Sequence, residues 1–222
     1  MKAVITGDIV NSTYISDHAK MIRSLKLIMQ RLVEHGYVRA GRWELFRGDS
    51  FQMVTEPEQA LLTALILRSG FRGGVYRLAS PLVVEDMLDE SIDVRLSIGI
   101  GGIGEITDPI SESFGEAFTF SGKMLETITE EGIQLNIVTP DAQLNVHFEM
   151  VCRLMGVIIN DWSENSSQAI YRNLLVGETQ QETADFLGIS QSSVQNRLKI
   201  AHMDEIRYLL SYFKDQITNI VR

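Results

Sequence analysis

Cysteine is nearly missing: Cys152 stands alone, so no internal disulfide can form and nothing points to an oxidising compartment. Four prolines in 222 residues, with no low-complexity tract, exclude collagen-like and proline-rich extended architectures. Cations are in deficit, 20 Lys and Arg against 29 Asp and Glu, for a net charge of −9 at pH 7. That argues against adhesion to nucleic acid over the whole surface, although a sum over the chain can hide a local basic face. No apolar run approaches the ~18 residues of a membrane-spanning helix, and the first residues enter a strand-like segment without a basic, cleavable leader. A cytoplasmic protein with no membrane partner is the expectation. The four histidines, His18, His35, His147 and His202, lack ligand spacing, so a zinc site is not expected. What is present is ordinary globular composition, 45% hydrophobic, with room for one large domain or two small ones.

The hydrophobic pattern divides the chain near residue 140. Before it, Met1 to Val10 reads as a strand, and Met21, Leu25, Ile28, Met29 and Leu32 place a helix over residues 17–34. Trp43 to Phe46 and Phe51 to Val54 flank a turn at Arg47 to Ser50, a hairpin whose Gly48-Asp49 tolerates turn conformations. Glu58 to Ser69 reads as a second helix, with Pro57 in its first turn and Gly70 and Gly73-Gly74 ending it. Phe71 to Leu88 carries mixed signals and reads as a variable connection, partly helical. Ile92 to Ile100 is a central strand, Gly115 to Ile128 a helix, and Ile133 to Val138 a last strand. The order βαββαβαβ predicts an α+β fold: two helices on one face of a mainly antiparallel sheet, a ferredoxin-like palm with a helix-strand extension, over residues 1–140. Residues 141–222 read as a second, all-helical domain, with helices at 142–162, 167–176, 179–187, 192–203 and 205–221 and a turn or hinge at Ser163 to Ser166. The apolar helix 144–159 can supply an interface for a homodimer or simply pack on the palm.

Thr179 to Leu198 resembles a helix-turn-helix of the sigma-factor-region-four and response-regulator type. Ala184 is small where two helices approach, Gly188 allows a sharp turn, and Ile189, Val194 and Leu198 plug the angle, with Ser190 capping the second helix. That helix presents Gln191, Ser192, Ser193, Gln195, Asn196, Arg197 and Lys199, groups able to address base edges or phosphates of duplex DNA. Against DNA binding, residues 163–222 hold six cations and seven anions, so a helical hairpin for protein contacts is the competing reading.

Four features of the first domain come in a telling order: Gly7-Asp8 at a strand end, Gly48-Asp49 in the hairpin, the strand Val94 to Gly101, and the helix opening at Gly115. Together they resemble the palm of class III nucleotide cyclases, a relative of the diguanylate cyclase and CRISPR polymerase palms. By that resemblance Asp8 and Asp49, with the Ile9 carbonyl as auxiliary ligand, would hold Mg²⁺ or Mn²⁺ over a nucleoside triphosphate. Two such carboxylates are hard oxygen ligands, and backbone amides of Asn11, Ser12 and Thr13 at a helix N-terminus could cradle phosphates. Each aspartate taken alone reads equally well as a turn or cap residue.

The same resemblance exposes departures. Thr119 and Lys123 stand where active cyclases carry an asparagine and an arginine, Leu45 where some have a base-selecting lysine, and Ser50 where diguanylate cyclases have a second acid. Lys123 and Arg47 could still neutralise phosphate charge. Gly48 to Gln52, Gly99 to Gly101 and Gly115 to Phe118 also match the SatD family of bacterial proteins, over nearly the whole chain and ending in a helix-turn-helix. The expectation is a bacterial transcription regulator that couples a nucleotide- and metal-binding palm to a DNA-binding module. The alternatives are a metal-dependent nucleotidyl cyclase or cyclic-nucleotide synthase whose helical half dimerises, and a degenerate palm that scaffolds a binding tail. Cys152, on an apolar helical stretch, reads as a buried small hydrophobe, and the run Gly99 to Gly104 reads as strand-end glycines near a phosphate site.

Overall fold

Near-continuous burial along Lys2–Ile9 (β1) befits its place at the centre of a five-stranded sheet of order β2-β3-β1-β4-β5, covered on both faces. The computed structural model describes residues 1–78, 85–131 and 133–221. β2 (Trp43–Phe46), β3 (Ser50–Thr55), β1 and β4 (Val94–Gly101) are mutually antiparallel, and β5 (Leu135–Val138) lies parallel to β4. A mixed α/β molecule with a mostly antiparallel sheet results, in the predicted order of elements. The hairpin turns on Arg47 (φ 55°) and Gly48 (φ 80°), so the two left-handed residues are these and not Gly48-Asp49.

One face of the sheet meets α1 (His18–Glu34) and α2 (Ala60–Arg72): Ala3, Ile5 and Ile9 pack with Met21, Leu25, Ile28, Leu61 and Leu65. Asp17 caps α1, accepting the Lys20 amide at 2.8 Å. The other face carries α3 (Glu116–Glu131), with a smaller apolar cluster of Val4, Val54, Ile110 and Ala117 beneath it. Gly99 is the reason α3 can lie so close. A Cβ there would stand 2.2 Å from the Ala117 carbonyl oxygen and 2.6 Å from the Ser121 amide. The predicted link between this glycine and a phosphate site is therefore replaced by helix-on-strand contact. Of the glycines expected to end α2, Gly73 is its C-cap, whereas Gly70 lies within the helix and seats the Tyr171 ring, which a Cβ would meet at 3.0 Å. Of the predicted connection 71–88, Val75–Leu78 forms a 3₁₀ turn and residues 79–84 lie outside the described residues.

Beyond Val138 every described element is helical: α4 (Ala142–Asn160), α5 (Glu164–Val176), α6 (Gln180–Leu187), α7 (Gln191–Ile200) and α8 (Met203–Val221). Ser163 caps α5 through the Ser166 amide, so Glu164 to Ser166 are helical and the break is confined to Asp161 to Ser163. The core does not stop at residue 140. A single cluster runs from the sheet through Phe148 of α4 and Ile170 of α5 to Val194 and Phe213.

A polar clasp accompanies it. Asp93, before β4, accepts Arg68 Nε and Nη2 at 2.8 Å each and Arg72 Nη1 at 2.7 Å. Arg68 also reaches Asn160 Oδ1, and Arg72 the Trp162 carbonyl. Trp162 Nε1 in turn donates to the carbonyl of Ala201, the C-cap of α7, at 3.1 Å. Burial alone would raise the Asp93 carboxyl, but hydrogen bonds and charge from both arginines outweigh it and hold it below the ordinary carboxylate range. No helix among the described residues is long and apolar enough to cross a membrane.

Candidate functional site

The β1–β3 ladder decides where the two aspartates fall. Asp8 pairs with Ser50 on one side and Arg95 on the other, and the next amide, of Ile9, donates to the Asp49 carbonyl at 3.1 Å. Residues 41 apart in sequence thus meet at one end of the sheet. Their side chains, however, enter different sets of partners. Asp8 accepts Arg95 Nε at 2.9 Å and Nη2 at 3.1 Å, a two-pronged pair at about one-fifth exposure on each side. Asp49 accepts the Ser12 hydroxyl through Oδ2 and, at 3.3 Å, the Ser50 hydroxyl through Oδ1. Arg95 is a site residue without a sequence signal. It looks like an ordinary polar position of an alternating strand, and only the β1–β4 register brings it to Asp8.

Ser12 is buried and tethers the loop after β1 to the hairpin. Asn11 adopts a left-handed conformation (φ 58°), and Asn11 and Thr13 are exposed. The expected helix N-terminus is not there: Ser12–Tyr14 make one 3₁₀ turn, and α1 starts only at His18 under its own cap. Arg47 is exposed at the hairpin tip. Of the two aspartates Asp8 is ion-paired, with Arg95, and Arg47 makes no described contact with either. Among the described residues no group of three or more His, Cys, Asp or Glu is gathered as a metal would require, so the donors on offer are two carboxylates and backbone oxygens.

On the α3 side of the sheet the polar character continues inward. Glu44, Gln52, Thr6, Ser97 and Asn136 fall in register across all five strands. Gln52 Nε2 donates to Thr6 Oγ1 at 3.0 Å, and Thr6 donates to Ser121 of α3 at 2.8 Å. Ser97 Oγ is fully buried beside them without a hydrogen-bond partner among the described residues. α3 begins at the far end, where Glu116 accepts the Gly102 amide at 3.1 Å. Thr119 and Lys123 are exposed on its outer surface, and neither touches Asp8 or Asp49 among the described contacts. The fold therefore brings Asp8, Ile9, Ser12 and Asp49 together and leaves Thr119 and Lys123 apart from them.

In the helical half, Thr179 and Glu182 form a reciprocal cap on α6, and Gly188 (φ 65°) ends it. The Ile189 amide returns to the Ala184 carbonyl at 3.0 Å, and Ala184, Val194 and Leu198 are buried between α6 and α7. Ser190 caps α7 through the Ser193 amide. Gln191, Ser192, Ser193, Gln195, Asn196 and Lys199 are exposed, as the sequence suggests. Their contacts narrow what this face can offer a ligand. The Ser192 and Ser193 hydroxyls are engaged with Ser190, at 3.0 and 2.8 Å, and half-buried Arg197 donates to the Asn165 carbonyl of α5 at 3.3 Å. Arg172 and Arg207 pair with Glu178 and Asp204, while Lys199 stands on the exposed face of α7.

No family model matches the chain, and no curated protein does. Two solved structures of a bacterial light-regulated adenylyl cyclase are similar to it, at 15% and 14% identity and TM-scores of 0.38 and 0.37. Each likeness covers 62% of this chain, which spans only 42% of the cyclase chain. Likeness at that level decides neither fold nor chemistry.

Proposed function

We propose that this protein is a cytoplasmic regulator. Its palm, residues 1–140, binds a nucleoside triphosphate with Mg²⁺ or Mn²⁺ at Asp8 and Asp49, and its helical half, residues 141–222, binds duplex DNA through a helix-turn-helix formed by α6 and α7. The observation that carries the first half is the meeting of Asp8, Ile9, Ser12 and Asp49 at one sheet end, with Asp8 ion-paired to Arg95. Mg²⁺ commonly takes one or two carboxylates together with substrate phosphates. Asp49 and Asp8 would hold the metal, whose charge would offset that of the phosphates. Asp49 is the better ligand, since Asp8 shares both its oxygens with Arg95. Arg95 and Arg47 would meet phosphate charge, and Ser12 would hold Asp49 in place.

Support for the second half is the capped α6–Gly188–α7 unit with an exposed face of amide and cationic groups. The resemblance to SatD proteins belongs to the same proposal. Thr119 and Lys123, exposed and apart from the aspartates, favour binding over cyclisation. Titrating each nucleoside triphosphate into the protein with and without Mg²⁺ or Mn²⁺ tests the palm. Metal-dependent binding that weakens at least about tenfold in Asp49→Asn is expected, and equal binding by both proteins, or none, contradicts it. A cyclic or linked product formed by wild type alone would make the palm an enzyme instead.

A further inference from the structure

α4 is apolar on two opposite sides. At 100° per residue Leu144, Phe148, Cys152, Met155 and Ile159 share one face, and all are buried against β5 and the helical core. Val146, Met150, Leu154 and Val157 share the reverse face and are 66, 57, 65 and 68% exposed. Isolated surface hydrophobes need no explanation, but four large ones in a continuous stripe mark an interaction surface. The stripe borders a cleft of about 310 Å³ between α3, β5 and α4, lined in part by Met124, Ile128, Ile133 and Val138, which widens the apolar ground.

We infer that a second copy of this chain covers the stripe, α4 packing antiparallel on α4 about a twofold axis near residue 152. The pattern is its own complement. Val146 and Val157 are equidistant from a point between residues 151 and 152, and Met150 and Leu154 from residue 152. Polar Gln143 and Asp161 bracket the stripe symmetrically about the same centre. The charges along one flank repeat the symmetry: Glu149 and Arg153, paired at 3.1 Å within the chain, straddle residue 151. An antiparallel copy therefore sets each Arg153 within a turn of the partner's glutamate. A membrane surface is disfavoured, because among the described residues Arg153 is the one cation beside the stripe and is already held by Glu149 and Glu131. The inference stands apart from the DNA reading, although such a pair would carry two copies of α7.

Sedimentation equilibrium on the full chain, from about 1 to 200 μM, tests it. Wild type is expected to rise from the 25.0 kDa monomer toward twice that mass, and Met150→Glu/Leu154→Glu, on the exposed face, to stay at the monomer mass with an unchanged circular dichroism spectrum. A monomeric wild type over the whole range, or a variant that associates like wild type, overturns the proposal. Register is read by mild oxidation of an equimolar mixture of Val146→Cys and Val157→Cys. The mixture should cross-link while Val146→Cys alone should not, its two copies lying about 16 Å apart along the axes. Buried Cys152 is silent in this assay. Cross-linking of Val146→Cys alone, or none in the mixture, rejects the antiparallel pairing.

Discussion

Asp93 holds Arg68 and Arg72 of α2 through one carboxylate, and its energetics are the most exposed to test. Its pKa is depressed in the folded protein because Arg68 and Arg72 overcome the cost of burial. The stability it contributes is then fully present above the unfolded carboxyl value of about 3.9 and is lost as pH falls through the lower folded value. Asp93→Asn leaves the two guanidinium groups without their anion, and Arg68 is only 1% exposed. A loss of about 3–5 kcal/mol at pH 7, with a shallower decline of stability below pH 4, is expected from urea unfolding across pH. An unchanged midpoint would mean the clasp contributes nothing. Cys152 offers a second check. Burial pushes its thiol up to about 12, so a thiol reagent should leave native protein unlabelled and react only after denaturation. The burial of Cys152 could be read from its apolar setting, whereas nothing in the sequence around Arg68, Arg72, Asp93 or Arg95 announced a partner. Each of those pairs spans at least 21 residues, and only strand register and helix packing close the distance.

Elements were more legible than their faces. Period-two and period-3.6 patterns located β1 to β5 and α1 to α8 to within a few residues, because burying one side of each is what the patterns encode. The side on which α3 lies was not encoded in its own periodicity. It depends on Gly99 and Gly101, whose missing side chains read as a strand end near a ligand until α3 is seen against them. Gly99→Ala should therefore act through packing: about 1–3 kcal/mol of destabilisation, seen as a lower melting temperature. Gly122, on the open side of the same helix with nothing within 4 Å of an added Cβ, should do the reverse. Gly122→Ala is expected to raise stability by about 0.5–1 kcal/mol. If both substitutions lower stability equally, close approach is not what Gly99 provides. Similarly, Asn11 to Thr13 looked like the start of a helix because β1 is followed by a helical period, yet Asp17 takes the capping role and leaves a separate 3₁₀ turn.

For the whole molecule, the candidate site and the α6–α7 unit are not isolated from each other. The Val10 amide, two residues past Asp8, donates to the Asp93 carbonyl at 2.9 Å. From Asp93 the contacts pass through Arg68 and Arg72 to Asn160 and Trp162, and from the Trp162 indole to the C-cap of α7. Such a chain of contacts carries coupling only if the two ends share alternative states, which is a matter for binding experiments. Aspartates at two motif positions and a capped turn between helices were readable from sequence, since both are local signals. The route between them was not, because it is made of long-range pairs. On the DNA side, Arg197→Ala/Lys199→Ala should lower the slope of log affinity against log salt by about 2 in magnitude if both cations meet phosphates. A fall of about 1 would mean that Arg197 keeps its bond to the Asn165 carbonyl.

The most direct test of the proposed regulatory function is duplex-DNA affinity of the full chain, measured by fluorescence anisotropy on the DNA upstream of its own coding sequence, with and without saturating Mg²⁺ and nucleoside triphosphate. The account predicts salt-steep binding that shifts about 5–150-fold with the nucleotide in wild type and does not shift in Asp49→Asn. Absence of DNA binding at low salt, or an affinity indifferent to nucleotide in wild type, would contradict it.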